Sequence, residues 1–406
     1  MLISRALVAS SLLAVSVFAQ TGWPQWGGPS RDFQAADTKI ADKWPETGPK
    51  VIWKRELGPG YSSIIVGDGV LYTMYRDDEN EAVVALDAAS GATKWKHDYP
   101  APVGEKFEAS FGKGPNATPL LVGERLITAG VNGVLNCLDA KSGKVQWAVN
   151  LATEYDATFL QFGYSASPVL HKDTVIVPIG SKSGSVAALG LADGKPKWTA
   201  ATFDNSYSSP ILVKVGKRTV ATLVMPKQII GIDADDGTML FEHEYKNQWD
   251  CHCTTPVDCG DGRVFYPSFG AGILLQLTAA GDKVEAKELW NTKVLGAGQT
   301  DVLRIGEHLY GASGSGKAGF FACISLKTGE QAWRERLPMA MAVGLGKRML
   351  LLAEDGELRL VNVSPEKLDT VSQVTLLEPK AWTPPTVVDG RAYLRDQKQV
   401  MALDLR

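Results

Sequence analysis

The sequence predicts an all-β fold, a single β-propeller of eight four-stranded blades, and three observations predict it. First, Val83-Val84-Ala85-Leu86-Asp87-Ala88-Ala89-Ser90-Gly91-Ala92-Thr93-Lys94-Trp95 reads as strand, turn and strand, and the pattern returns at Leu135 to Trp147. Second, a further hairpin precedes the Asp–Gly turn of each unit, as at Val66-Gly67-Asp68-Gly69-Val70, so one unit holds four strands. Third, the last strand of the first unit, Lys50 to Leu57, lacks its partner nearby, and that partner stands at the other end of the chain as Val400 to Asp404. A unit split between the termini closes a ring and leaves no free sheet edge.

The 406 residues carry a net charge of −3, which excludes the electrostatic footprint of a nucleic-acid or membrane-surface binder. The 41 glycines and 11 tryptophans fit many turns and one recurrent bulky packing residue. No apolar run beyond the N-terminus reaches transmembrane length.

In chain order, residues 1–19 read as a signal peptide. Arg5 is its positive end, Ala6 to Phe18 its apolar core, and Val17-Phe18-Ala19 a cleavage site before Gln20. The expected product is exported, periplasmic or extracellular, and soluble. Residues 20–49, with Trp23-Pro24-Gln25-Trp26-Gly27-Gly28-Pro29-Ser30-Arg31-Asp32, read as an irregular lead-in, and 50–406 as the propeller. Degenerate copies of the unit run from Ala187 to Trp198, Ile230 to Phe241, Leu275 to Trp290 and Ala322 to Trp333. Tryptophans therefore recur at intervals of roughly 40–50 residues, blade length for a propeller. The stretch from Gly344 to Thr375 lacks the Trp, so seven blades is the alternative count.

Two recurrences mark structure rather than chemistry. Asp87, Asp139, Asp233 and Asp404 share one turn position, where an Asp caps the turn through backbone hydrogen bonds. Cys137 and Cys323 share a slot with Ala85, Ala188, Gly231 and Ala402, so they act as small buried side chains. Five Cys is an odd number, and the redox state of the set is open.

The Leu-Asp-x-x-Ser-Gly-x-x-x-Trp unit repeated around a ring resembles the pyrroloquinoline-quinone-like repeat family, over nearly the whole chain from Trp23 to Arg406. The family includes dehydrogenases that hold the quinone and calcium over the central channel. It also includes BamB, the cofactor-free propeller of the outer-membrane protein assembly machinery. The resemblance implies the fold and leaves the activity open. This chain lacks the adjacent Cys-Cys pair of the dehydrogenases and the lipid-acceptor Cys of BamB.

Residues at the start of each blade's first strand converge on the channel mouth. The expected ligand-contacting residues are Tyr61, Ser62, Asn116, Tyr164, Tyr207, His252 and Gln299. Asp250 and Asp301 are the candidate bases. Cys251-His252-Cys253 is the sharpest cluster, with soft metal ligands, although an extended backbone puts both Cys on one side and His252 on the other. Three functions follow. The first is a monomeric binding or scaffold protein without cofactor, which recognises a protein partner or small ligand at the mouth or blade edges. The second is a quinone-dependent dehydrogenase with calcium. The third is a copper or redox protein centred on Cys251 to Cys253.

Overall fold

The computed structural model describes residues 22–36, 39–314 and 318–406. The expected signal peptide lies outside the described residues. The rest forms eight antiparallel sheets, each with four blade strands. In chain order the blades span 65–100, 120–150, 169–200, 211–244, 257–292, 303–336 and 340–375. Blade 8 combines 386–404 with the strand Lys50–Glu56. The described residues contain one short helix, Leu151–Tyr155, and no helix long and apolar enough to cross a membrane.

Closure uses the split unit: Lys50–Glu56 pairs antiparallel with Gln399–Asp404, setting Trp53 opposite Ala402. That pairing also explains the small slot. Ala85, Cys137, Ala188, Cys323 and Ala402 each lie directly across from the Trp of their own sheet, and Gly231 lies across from Phe241. An indole on one strand leaves room only for a small neighbour on the next. A register shift follows the pair each time and turns the indole toward the adjoining blade. There the indole N–H donates to a turn carbonyl: Trp95 to Ala140, Trp147 to Leu191, Trp290 to Leu326. Asp87 and Asp139 accept backbone N–H bonds within their turns. Blade 7 keeps four strands despite losing its Trp, because buried Leu350, Leu351, Leu352, Leu358 and Leu360 supply its packing.

The lead-in departs from the irregular segment expected. Gly22–Trp23 forms a short strand on the axial edge of blade 1, paired with Val66 and Gly67. The segment then crosses the end of the channel. Pro24 accepts from Leu121 N–H in blade 2, and Arg31 donates to the Pro168 carbonyl before blade 3. Gln34 Nε2 donates to Arg304 in blade 6, and Ala35 N–H donates to Gly344 in blade 7. These contacts close one end of the channel, since the innermost strands leave unpaired backbone groups there.

Candidate functional site

With one end plugged, the other end of the channel is a cup of about 230 Å³. Eight of its lining residues, one from the start of each blade, make an upper ring: Tyr61, Asn116, Ser165, Tyr207, Cys253, Gln299, Met339 and Trp382. Two residues further along lies a lower ring, of which five members, Ser167, Ser209, Thr255, Asp301 and Met341, line the cup, as strand alternation requires. The residue between them faces into its blade. Ser62 and Thr300, fully buried and off the cup, show the rule.

The lower ring stitches the blades together. Ser63 N–H donates to Thr118 Oγ1 (3.0 Å), Thr118 N–H to Ser167 Oγ (3.0 Å), and Ser167 N–H to Ser209 Oγ (2.9 Å). Thr255 N–H donates to Asp301 Oδ1 at 3.1 Å. These short polar side chains therefore satisfy backbone donors that have no strand partner on the axis. The floor is Trp26 of the lead-in, whose indole N–H donates to Thr255 Oγ1 at 2.8 Å.

Half of the mouth is aromatic. Trp382 stacks on Tyr61 with centroids 5.5 Å apart and meets Phe111 at 5.7 Å. Phe111 meets Phe162 at 5.6 Å, and Phe162 meets Tyr207 at 6.0 Å. The Tyr61 hydroxyl donates to the Phe111 carbonyl, and Phe162 N–H donates to the Tyr207 hydroxyl, so the belt is held by its backbone too. Asn116 is spent on the same task, donating to Phe162 O and Ser165 Oγ at 3.0 Å each. Phe111 and Trp249 stand exposed near the rim, Trp249 at 60%.

Charge is scarce. Among the described lining residues Asp301 is the one ionisable carboxyl, and there is no His, Lys or Arg. Burial pushes the Asp301 carboxyl up to about 6, against the Thr255 hydrogen bonds and the attraction of Arg31. Burial likewise pulls the Arg31 guanidinium down to about 9. Arg31 is held beneath the cup by the Pro168 and Ser167 carbonyls.

The expected site residues divide. Tyr61, Asn116, Tyr207, Gln299, Asp301, Cys251 and Cys253 line the cup. Ser62 is the between-ring residue of blade 1. Tyr164 lies one position before the ring residue Ser165 and packs edge-on against Phe159 in the core. His252 is buried, stacked on Tyr245 at 5.2 Å, with Nδ1 2.9 Å from Ser268 Oγ. Burial holds its imidazole neutral, pulled down to about 4. Asp250 sits in a tight turn at φ +47°, which directs it to solvent and to Lys227 at 3.5 Å. Sequence reading missed Trp26, Met339, Met341 and Trp382. For the last three the signal was available, because counting back from each hairpin gives the ring position; nothing in the lead-in marked Trp26 as a floor.

A family model described as outer membrane protein assembly factor BamB matches residues 40–335. The chain is 25% identical to BamB of Burkholderia pseudomallei over 282 residues, 63% of this chain and 67% of that protein. It is 30% identical to the quinohemoprotein alcohol dehydrogenase ADH IIB of Pseudomonas putida over 150 residues, 35% of this chain and 20% of the relative. Among solved structures, BamB from Moraxella catarrhalis superposes with a TM-score of 0.63 at 16% identity, covering 87% of this chain and 99% of that one. Quinohemoprotein alcohol dehydrogenase from Comamonas testosteroni gives 0.69 at 13% identity, covering 96% and 81%. At these identities both structures speak for the fold alone.

Proposed function

The chain belongs to the family described as outer membrane protein assembly factor BamB, and from that premise we propose a recognition propeller that takes a bulky apolar side chain of a protein partner into its cup. The observation that carries this reading is the aromatic belt over a blind, almost uncharged cavity. Trp, Tyr and Phe give large contact area for little entropy loss and dominate interface energetics. A cavity of about 230 Å³ holds one large side chain and falls below the usual range for drug-sized ligands. Exposed Phe111 and Trp249 extend the apolar surface outward from it. The chain would act as a monomer after export, with the leader removed before Gln20; N-terminal sequencing of the expressed product tests the cleavage.

The quinone-dehydrogenase reading rests on the partial likeness to alcohol dehydrogenases. Pyrroloquinoline quinone carries three carboxylates, and calcium takes six to eight oxygen ligands. The described lining offers one carboxyl and no cationic side chain, and Arg31 is already bonded to carbonyls. These residues do not fit that pair.

The test is selection from a random-peptide display library on the immobilised protein. Enriched peptides should share a Trp, Phe or Leu anchor. Phe111→Ala and Trp382→Ala should each weaken binding about tenfold or more, as hot-spot truncations do. Val145→Ser, on the outer edge of blade 2, should leave it unchanged. Absence of enrichment, or binding indifferent to the rim variants, overturns the reading.

A further inference from the structure

The cup also contains a chemistry that side-chain recognition does not use. Cys251 and Cys253 both line it, with their sulfurs 3.7 Å apart. We propose that this pair binds one soft monovalent metal ion, copper(I), between the two sulfurs inside the cup.

One metal ion at an ordinary metal–sulfur distance of ~2.3 Å reaches two sulfurs that stand no more than about 4.6 Å apart. Cys251 Sγ and Cys253 Sγ lie within that reach. Their separation is far longer than an S–S bond, and the five cysteines are free thiols. The loop that presents the pair is pinned. Asn247 accepts from Cys251 N–H at 3.2 Å and donates to the Cys251 carbonyl, while Ser206 Oγ donates to the His252 carbonyl at 3.1 Å. With His252 drawn into the core, the two thiols on either side of it point the same way.

Met339 and Met341 line the same cup, so four of the chain's five Cys and eight Met meet at one cavity. Thiolate and thioether favour copper(I), whereas magnesium and calcium need oxygen. Structural zinc completes four ligands from Cys, His and carboxylate, and among the described residues no three such side chains converge. Asp301 is engaged by Thr255 N–H at the lower ring.

On binding, two S–H bonds break, two Cu–S bonds form, both protons leave to solvent, and copper stays in the +1 state.

The experiment is an anaerobic titration of the fully reduced protein with copper(I) acetonitrile complex in competition with bicinchoninate. One equivalent should pass to the protein. Cys251→Ala and Cys253→Ala should each weaken uptake by at least roughly 100-fold, as expected when two-point attachment becomes one-point. Cys259→Ala, whose thiol lies in a separate core cluster, should leave uptake unchanged. Circular dichroism of each variant shows that the fold is kept. As a second readout, copper should protect Cys251 and Cys253 from iodoacetamide while the metal-free protein is alkylated at both. The proposal is overturned if bicinchoninate retains all the copper, or if the Cys251→Ala/Cys253→Ala double variant takes up as much as the parent.

Discussion

The indole N–H of Trp53 donates to the carbonyl of Ala88 at 3.1 Å. Trp53 belongs to blade 8 and Ala88 to the turn of blade 1, so the bond spans the seam where the chain closes on itself. It repeats the contact of Trp95 with Ala140 and of Trp290 with Leu326. The seam is therefore made like every other blade boundary, and Gly91 sits face-on to the Trp53 ring.

Gly91 adopts φ +72°, and a Cβ there would fall 2.7 Å from Trp53 Cε3. Gly69 has the same φ with open space around it. Gly69→Ala should cost about 1–2 kcal/mol, the left-handed penalty alone. Gly91→Ala should cost about 1–3 kcal/mol more, because overpacking is added. Urea denaturation of the pair separates the two effects; equal midpoints would show that the ring at the seam yields freely.

The seam has a second lock. Arg395, fully buried in blade 8, donates from Nη1 to Ser62 O, Thr73 Oγ1 and Met74 O of blade 1, and from Nη2 to Gly58 O. Arg395→Met keeps the length of the chain and strands these acceptors. A stability loss of about 3–5 kcal/mol is expected, the scale for breaking a buried charged network. Lys398→Met, at an exposed pair with Glu378, should cost under about 1 kcal/mol and serves as the comparison.

The fold was legible because it is written many times over. A Trp, the small residue across from it and the Asp–Gly turn recur, and one degenerate unit such as blade 7 does not obscure the rest. The cup is written once. Its rings follow from strand alternation, so a reading that set Tyr61 and Ser62 side by side had to include one residue of the wrong face. Trp26 was illegible because its position depends on a segment crossing from blade 1 toward blade 7 through contacts between distant residues. Asp250 was misplaced for a local reason, a left-handed turn at a non-glycine residue that an extended reading does not anticipate.

Asp301 supplies a pH signature. Its folded carboxyl titrates near 6 and its unfolded one near the ordinary 3.8. Between those values the folded state holds a proton that the unfolded state has released, so this group makes stability fall as pH rises through that window. The full effect is on the order of 3 kcal/mol and is constant above the window. Asp301→Asn cannot titrate. The stability difference between parent and variant should thus shift against the parent from pH 4 to pH 6 and then level off. Denaturant midpoints across that range check the slope; a difference that moves the other way would place the carboxylate in a favourable ion pair with Arg31.

Trp26 tests whether the cup needs its floor. Trp26→Phe keeps a ring against Phe33, which it meets edge-on at 5.2 Å, and removes only the bond to Thr255 Oγ1. The expected cost is about 1 kcal/mol, with recognition unchanged. Trp26→Ala removes the ring, joins the cup to the space beneath it and admits water next to the aromatic belt. Apolar groups gain less from entering a wet cavity, so affinity for a rim-selected peptide should fall about tenfold, while stability falls by about 2–4 kcal/mol. Calorimetry of peptide binding on both variants gives the answer. If Trp26→Ala binds as the parent does, the ligand stops at Phe111 and Trp382 and the floor serves only to hold the lead-in to the blades.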